Sequence, residues 1–278
     1  KWVSTDKAHA VKGLRAGVEY ILTEVTAPEG YAVAKSIRFT VNDDFAIQTV
    51  EMVDKQVTVS KVGITGKEIP GATLTVTDKE TGDVVDEWVS EETPHPIKNI
   101  AVGKTYILTE KLAPNGFVKA EDIEFTVEDD FTVQHVEMKD KYVEISKTDI
   151  AGDEIEGAEL TVTDKETGDV VDKWTSTKES HKVSGLEVGK TYILTEVVAP
   201  KDYSIAESIE FTVENDFKAQ HVTMKDKQVK ISKRDITTGK EIDGAKLTVL
   251  DEKGNKIDTW TSKKGKDHYI TGLKVGET

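Results

Sequence analysis

Residues 158–175 read AELTVTDKETGDVVDKWT. Ala158, Leu160 and Val162 alternate with Glu159, Thr161 and Thr163, the period-two pattern of a strand with one buried face. A second run, Val170–Thr175, follows a turn signal at Thr167-Gly168-Asp169. Two alternating runs around such a turn read as a β-hairpin, not a helix. The words LTVTDKETG also stand at 74–82. Asp78–Gly82 therefore reads as a hairpin turn as well.

Outward from the hairpin the chain repeats itself. Trp2, Trp88, Trp174 and Trp260 follow one another at intervals of 86 residues. The same interval separates Glu24, Glu110 and Glu196; Asp54, Asp140 and Asp226; and Lys61, Lys147 and Lys233. A fixed period of this size marks a tandem array of small folding units. Only the last copy slips, with small insertions near Thr238 and Lys264. Boundaries set before each VxVSK or VEISK strand give complete repeats at 56–141 and 142–227. Residues 1–55 are then the C-terminal part of one repeat and 228–278 the N-terminal part of another. Trp2–Gly17 corresponds to Trp260–Gly276, so the ends overlap and are not two halves of one permuted unit. The expectation is a window from a longer array.

Within 142–227 seven strands are expected: Val143–Lys147, Ala158–Thr163, Val170–Thr175, His181–Ser184, Thr191–Glu196, Ser208–Val213 and Ala219–Asp226. Seven short alternating strands per 86 residues predict an all-β chain of small sandwiches with immunoglobulin-like architecture. Only Lys141 and Tyr142 separate one repeat's last strand from the next one's first, so a stiff array is expected.

Composition narrows the function. The 278 residues are 37% hydrophobic and 32% charged, with a net charge of −15. That balance supplies several small cores and no basic stripe, which argues against nucleic acid. There is no cysteine, so no disulfide staples the repeats. No apolar run approaches membrane-spanning length. No nucleophile triad, phosphate loop or metal-ligand spacing of the six histidines is present, so no turnover enzyme, cofactor or metal is expected. The acidic clusters Asn42-Asp43-Asp44, Glu128-Asp129-Asp130 and Asn215-Asp216 lack EF-hand spacing and read as turns.

Strand parity singles out three polar residues per repeat. Val57, Val59 and Lys61 share a face, as do Val136, Met138 and Asp140, and the next repeat matches them with Val143, Ile145, Lys147 and Val222, Met224, Asp226. Tyr106, Leu108 and Glu110 also share parity, although Ile107 opposite is apolar too. Three readings remain open. The charged residues are strand ends in water; or they form a buried ion pair, which is costly to desolvate; or burial makes them reactive. Desolvation lowers a lysine pKa and raises that of an aspartic acid. A neutral amine can then condense with a neutral carboxyl, with a third acid moving the proton.

The runs YILTEVTAPEGY (20–31), YILTEKLAPNGF (106–117) and YILTEVVAPKDY (192–203) resemble the "E-box" of Gram-positive pilin and adhesin modules. With VSK or ISK on the first strand and MVDK or MKDK on the last, each repeat is similar to the collagen-adhesin B-type (CnaB) domain. The resemblance implies a reversed immunoglobulin-like, prealbumin-like sandwich closed by an intramolecular isopeptide bond. It implies bonds Lys61–Asp140 and Lys147–Asp226, with Glu110 and Glu196 as catalysts. Glu24 and Asp54, and Lys233, are the matching positions of the incomplete repeats. Aspartate in place of the frequent asparagine implies loss of water. The implied role is an extracellular stalk on a Gram-positive cell surface or wall. Its partners would be further repeats and a host ligand bound through a domain outside this window. The alternatives are a module that itself binds host matrix or glycan through its loops, and a polymerised pilin shaft, for which neither an LPxTG-type signal nor a linking lysine motif is visible.

Overall fold

A computed structural model describes residues 1–44, 46–130, 132–271 and 273–276. They form strands, turns and bends and contain no helix. Two compact units emerge: residues 1–61, 73–110 and 122–138, and residues 62–72, 111–121 and 139–278.

The second unit holds the whole of 142–227, and its seven strands are Val143–Thr148, Glu159–Asp164, Val170–Thr175, His181–Lys182, Thr191–Val198, Ile209–Thr212 and Gln220–Lys225. All seven expected strands are present, with ends moved by one or two residues. The fourth is shorter than expected, because Ser184 turns away to give its N–H to Asp172 at 2.9 Å. The fifth runs on to Val198, past Glu196.

The strands make two sheets. The first strand lies between the fourth and the last, and the second and fifth form the centre of a four-stranded sheet flanked by the third and sixth. The first and last strands run parallel, in a register that sets Val143 beside Gln220 and Lys147 beside Met224. The ladder continues one residue further, where the Asp226 N–H donates to the Thr148 carbonyl at 2.8 Å. The hairpin of residues 159–175 pairs Leu160 with Trp174. Its turn is closed by Gly168, whose φ of 78° is open to glycine at no steric cost.

Between the sheets lie Val143, Ile145, Leu160, Val162, Tyr192, Leu194, Phe211, Val222 and Met224, all buried. Tyr192, Leu194 and Glu196 point inward while Ile193 sits half-buried on the opposite face. That settles the face ambiguity of the fifth strand. In the first unit, Thr73–Asp78 and residues 105–110 form the centre of the corresponding four-stranded sheet, and residues 57–61 lie between His95–Pro96 and residues 134–138. Leu74, Val76, Tyr106 and Leu108 are buried there. Residues 1–55 contribute the antiparallel pair Glu19–Leu22 and Ile37–Thr40. Residues 228–276 contribute two antiparallel pairs, including Lys246–Leu250 with Lys256–Thr261.

Leu160 is fully buried at the middle of the central hairpin. Leu160→Ala should cost about 2–5 kcal/mol, read as a fall in the denaturation midpoint of repeat 142–227.

Candidate functional site: a buried lysine between two carboxyls

Each apolar stripe ends in a charge. Lys147 is the last inward-facing residue of the first strand, Glu196 occupies that place on the fifth, and Asp226 follows the last strand directly. The two sheets therefore bring a lysine, a glutamate and an aspartate to one end of the core. Relative exposures are 2% for Lys147, 4% for Glu196 and 0% for Asp226. Strand ends in water, the first of the three readings, is excluded here.

Lys147 Nζ stands 2.9 Å from Glu196 Oε1 and contacts Asp226 Oδ1. The ammonium thus bridges two acids. Glu196 is positioned from its other oxygen, since the Ala206 N–H donates to Oε2 at 2.6 Å. The Lys147 backbone N–H donates to the Glu154 carboxylate at 3.0 Å, which fixes the strand where the lysine leaves it. Burial pushes the Asp226 carboxyl up to about 6, against the opposing pull of Lys147 and with a further push from Glu196. A carboxyl whose proton is held well above the ordinary aspartate range is what condensation with an amine needs.

In the first unit Lys61 and Glu110 repeat the geometry, with 2.9 Å from Nζ to Oε1 and exposures of 1% and 0%. Asp140, in the second unit, is 1% exposed. In the incomplete N-terminal repeat the Ala34 N–H donates to Glu24 Oε2 at 2.7 Å. Asp54 is raised there by burial and by Glu24. At the other end Lys233 is exposed.

Two features escape a reading by strand parity. Ser60 has outward parity, yet it is buried, because His135 covers that face and bonds Thr58 Oγ1 at 2.8 Å and Ser60 Oγ at 3.0 Å. Each tryptophan of the period also stacks on a histidine: Trp2 on His9, Trp88 on His95, Trp174 on His181 and Trp260 on His268. In the last three pairs the imidazole Nε2 bonds an aspartate, namely Asp86, Asp172 and Asp258. Burial raises Asp86 and Asp172, but the bonds from histidine and from a backbone N–H outweigh it and leave both below the ordinary value. The histidines recur with the tryptophan period, a signal that a search for metal spacing passes over. Among the described residues no group of three His, Cys, Asp or Glu could hold a metal.

A tandem β-sandwich chain with a buried lysine held between two acids is the class that this fold and site define. The chain belongs to the family of SpaA prealbumin-like fold domains, which match it at 1–56, 55–142, 141–228 and 227–278. No curated protein matches it. Among solved structures it is similar to the Bacillus anthracis TIE protein at 20% identity and TM-score 0.28, over 85% of this chain and 47% of that one. It is also similar to the shaft pilin SpaA from Lactobacillus rhamnosus GG at 14% identity and TM-score 0.29, over 63% and 98% of the two chains. A streptococcal ancillary pilin matches at 15% identity and TM-score 0.33, over 75% of each chain.

The raised Asp226 gives a pH signature once its amine is gone. Its folded value lies above the unfolded one, so its stabilising contribution is full below about 4 and is lost as pH rises through about 6. Lys147→Met removes the partner that opposes the rise. Its unfolding free energy should fall by at least about 3 kcal/mol between pH 4 and pH 8, since without Lys147 the carboxyl rises further. A flat profile by chemical denaturation would show Asp226 ionised in the fold.

Proposed function

We propose that the chain is part of an extracellular stalk of a Gram-positive cell surface, a spacer whose repeats are each closed by a self-formed isopeptide bond. The carrying observation is the ammonium of Lys147 buried between Glu196 and Asp226, together with Lys61 buried against Glu110 one period earlier. Such a cluster is expensive as an ion pair, and an amide removes two of its charges.

The chemistry balances without any co-reactant. Lys147 Nζ, as the neutral amine, attacks the Asp226 carboxyl carbon. Glu196 takes a proton from the attacking nitrogen and returns one to the departing oxygen. A C–N bond forms, a C–O bond breaks, and one water leaves. Lys61, Glu110 and Asp140 take the same parts in repeat 56–141. Exclusion of water favours both the neutral reactants and the amide product.

The bond lies where load would pass. Tension enters a repeat at its first strand and leaves at its last, and the amide joins these two directly. An unclosed repeat of 86 residues pays out to roughly 290 Å. A closed repeat keeps everything between lysine and aspartate out of the load path. By analogy with a disulfide over a loop of this size, closure adds about 4–5 kcal/mol.

The intact chain should weigh two waters less than its sequence, because it holds two complete repeats. Glu110→Ala should weigh one water less, and in its tryptic digest the Lys147–Asp226 branched peptide should remain. A folded wild-type chain of full sequence mass would sink the crosslink.

In single-molecule pulling, the wild-type chain should show no extension step near 290 Å from residues 56–227. Asp140→Ala should restore one step and Asp226→Ala another.

A further inference from the structure

The residue after each acceptor aspartate is a lysine: Lys55, Lys141 and Lys227. Nothing in the crosslinking chemistry uses it. Lys55 and Lys141 are nevertheless 4% and 3% exposed, a burial that an ammonium reaches only when paired. Their partners belong to the following repeat. Lys55 Nζ stands 2.5 Å from Asp130 Oδ1. Lys141 Nζ donates to Asp216 Oδ1 at 2.7 Å and to the Glu214 carbonyl at 2.9 Å. The bond from Lys55 holds the Asp130 carboxyl at about 2. Lys227, for which the 278 residues hold no following acidic turn, is exposed.

A second set of contacts accompanies each pair. The Val33 N–H donates to the Ile100 carbonyl at 2.8 Å, and the Lys119 N–H donates to the Leu186 carbonyl at 2.9 Å. Ile205 makes the same one-residue parallel bridge to the segment at Lys274. Val118 packs in the core cluster of 142–227, and its N–H donates to the carbonyl of Lys141 itself. The clamp lysine is therefore tied by its backbone to its own repeat and by its side chain to the next.

We propose that these lysines are latches, and that the acidic turns 128–130 and 214–216 are their receptors, so that each repeat docks the next in one fixed orientation. The recognised partner is another repeat of this chain, through a buried ammonium that follows the acceptor aspartate. The acidic clusters at 128–130 and 214–216 are thereby filled by lysine. The latch needs no amide at Asp140, so it stands or falls separately from the crosslink.

The test uses the full chain, which has no native cysteine, spin-labelled at Lys67→Cys and Glu166→Cys, both exposed. Pulsed dipolar spectroscopy should give a narrow distance distribution for wild type and for a control, Lys173→Met. Lys141→Met should broaden it about twofold or more, as a flexible linker would. Asp216→Asn, at the more exposed side of the pair, should broaden it too. Far-UV circular dichroism shows that each variant is folded, and intact mass on the same samples reads the crosslink independently. Calcium should leave wild type unchanged. Distributions in Lys141→Met and Asp216→Asn as narrow as wild type would overturn the latch, as would calcium displacing the lysine and altering the wild-type distances.

Discussion

One lysine and two carboxyls share a buried site at the end of the 142–227 core, and the rest of that repeat is arranged around the constraint. Moving an ion out of water costs several kcal/mol, and a buried pair recovers this only with good geometry. In 142–227 the geometry is imposed by backbone: Ala206 holds Glu196, Glu154 holds the strand at Lys147, and the ladder from Thr148 holds Asp226. Each support comes from a different segment. The pocket therefore exists only when both sheets are assembled, which ties its chemistry to completion of the fold. The raised Asp226 is the electrostatic result of that assembly.

The two buried lysines on either side of the 141/142 boundary answer the same problem in opposite ways. Lys147 sits beside two acids with little backbone support for its charge. Lys141 meets one carboxylate and one carbonyl, and Asp216 keeps partial contact with water. The first arrangement sets one lysine against two buried acids. The second is a stable, charge-assisted bond that keeps the charge. They are six residues apart, one on each side of the 141/142 boundary.

Much of this was legible before any coordinates. Seven strands per repeat followed from alternation and turns, and inward parity of Lys147 and Asp226 followed from counting residues in pairs. The 86-residue period aligned their partners Lys61 and Asp140 without any reference to shape. What parity misses is lateral. Ser60 is buried by His135 from a neighbouring strand, and Lys141 by a turn 75 residues away in the following repeat. A period-two rule describes one strand against its own core and is blind to what covers the other face. The acidic clusters lie in bends between strands, and the lysine that meets Asp216 comes from a different repeat and could not be seen from spacing alone.

The parallel pairing of the first and last strands has a consequence for how such a chain changes over generations. A parallel neighbour brings the chain in at one end of the strand pair and out at the other. The bridges at Lys119 and Ile205 are of the same kind, which makes one seam interchangeable with the next. Recombination between similar copies can then add or delete a whole 86-residue period. Length becomes a heritable variable that shifts in whole units, with no new interface to evolve.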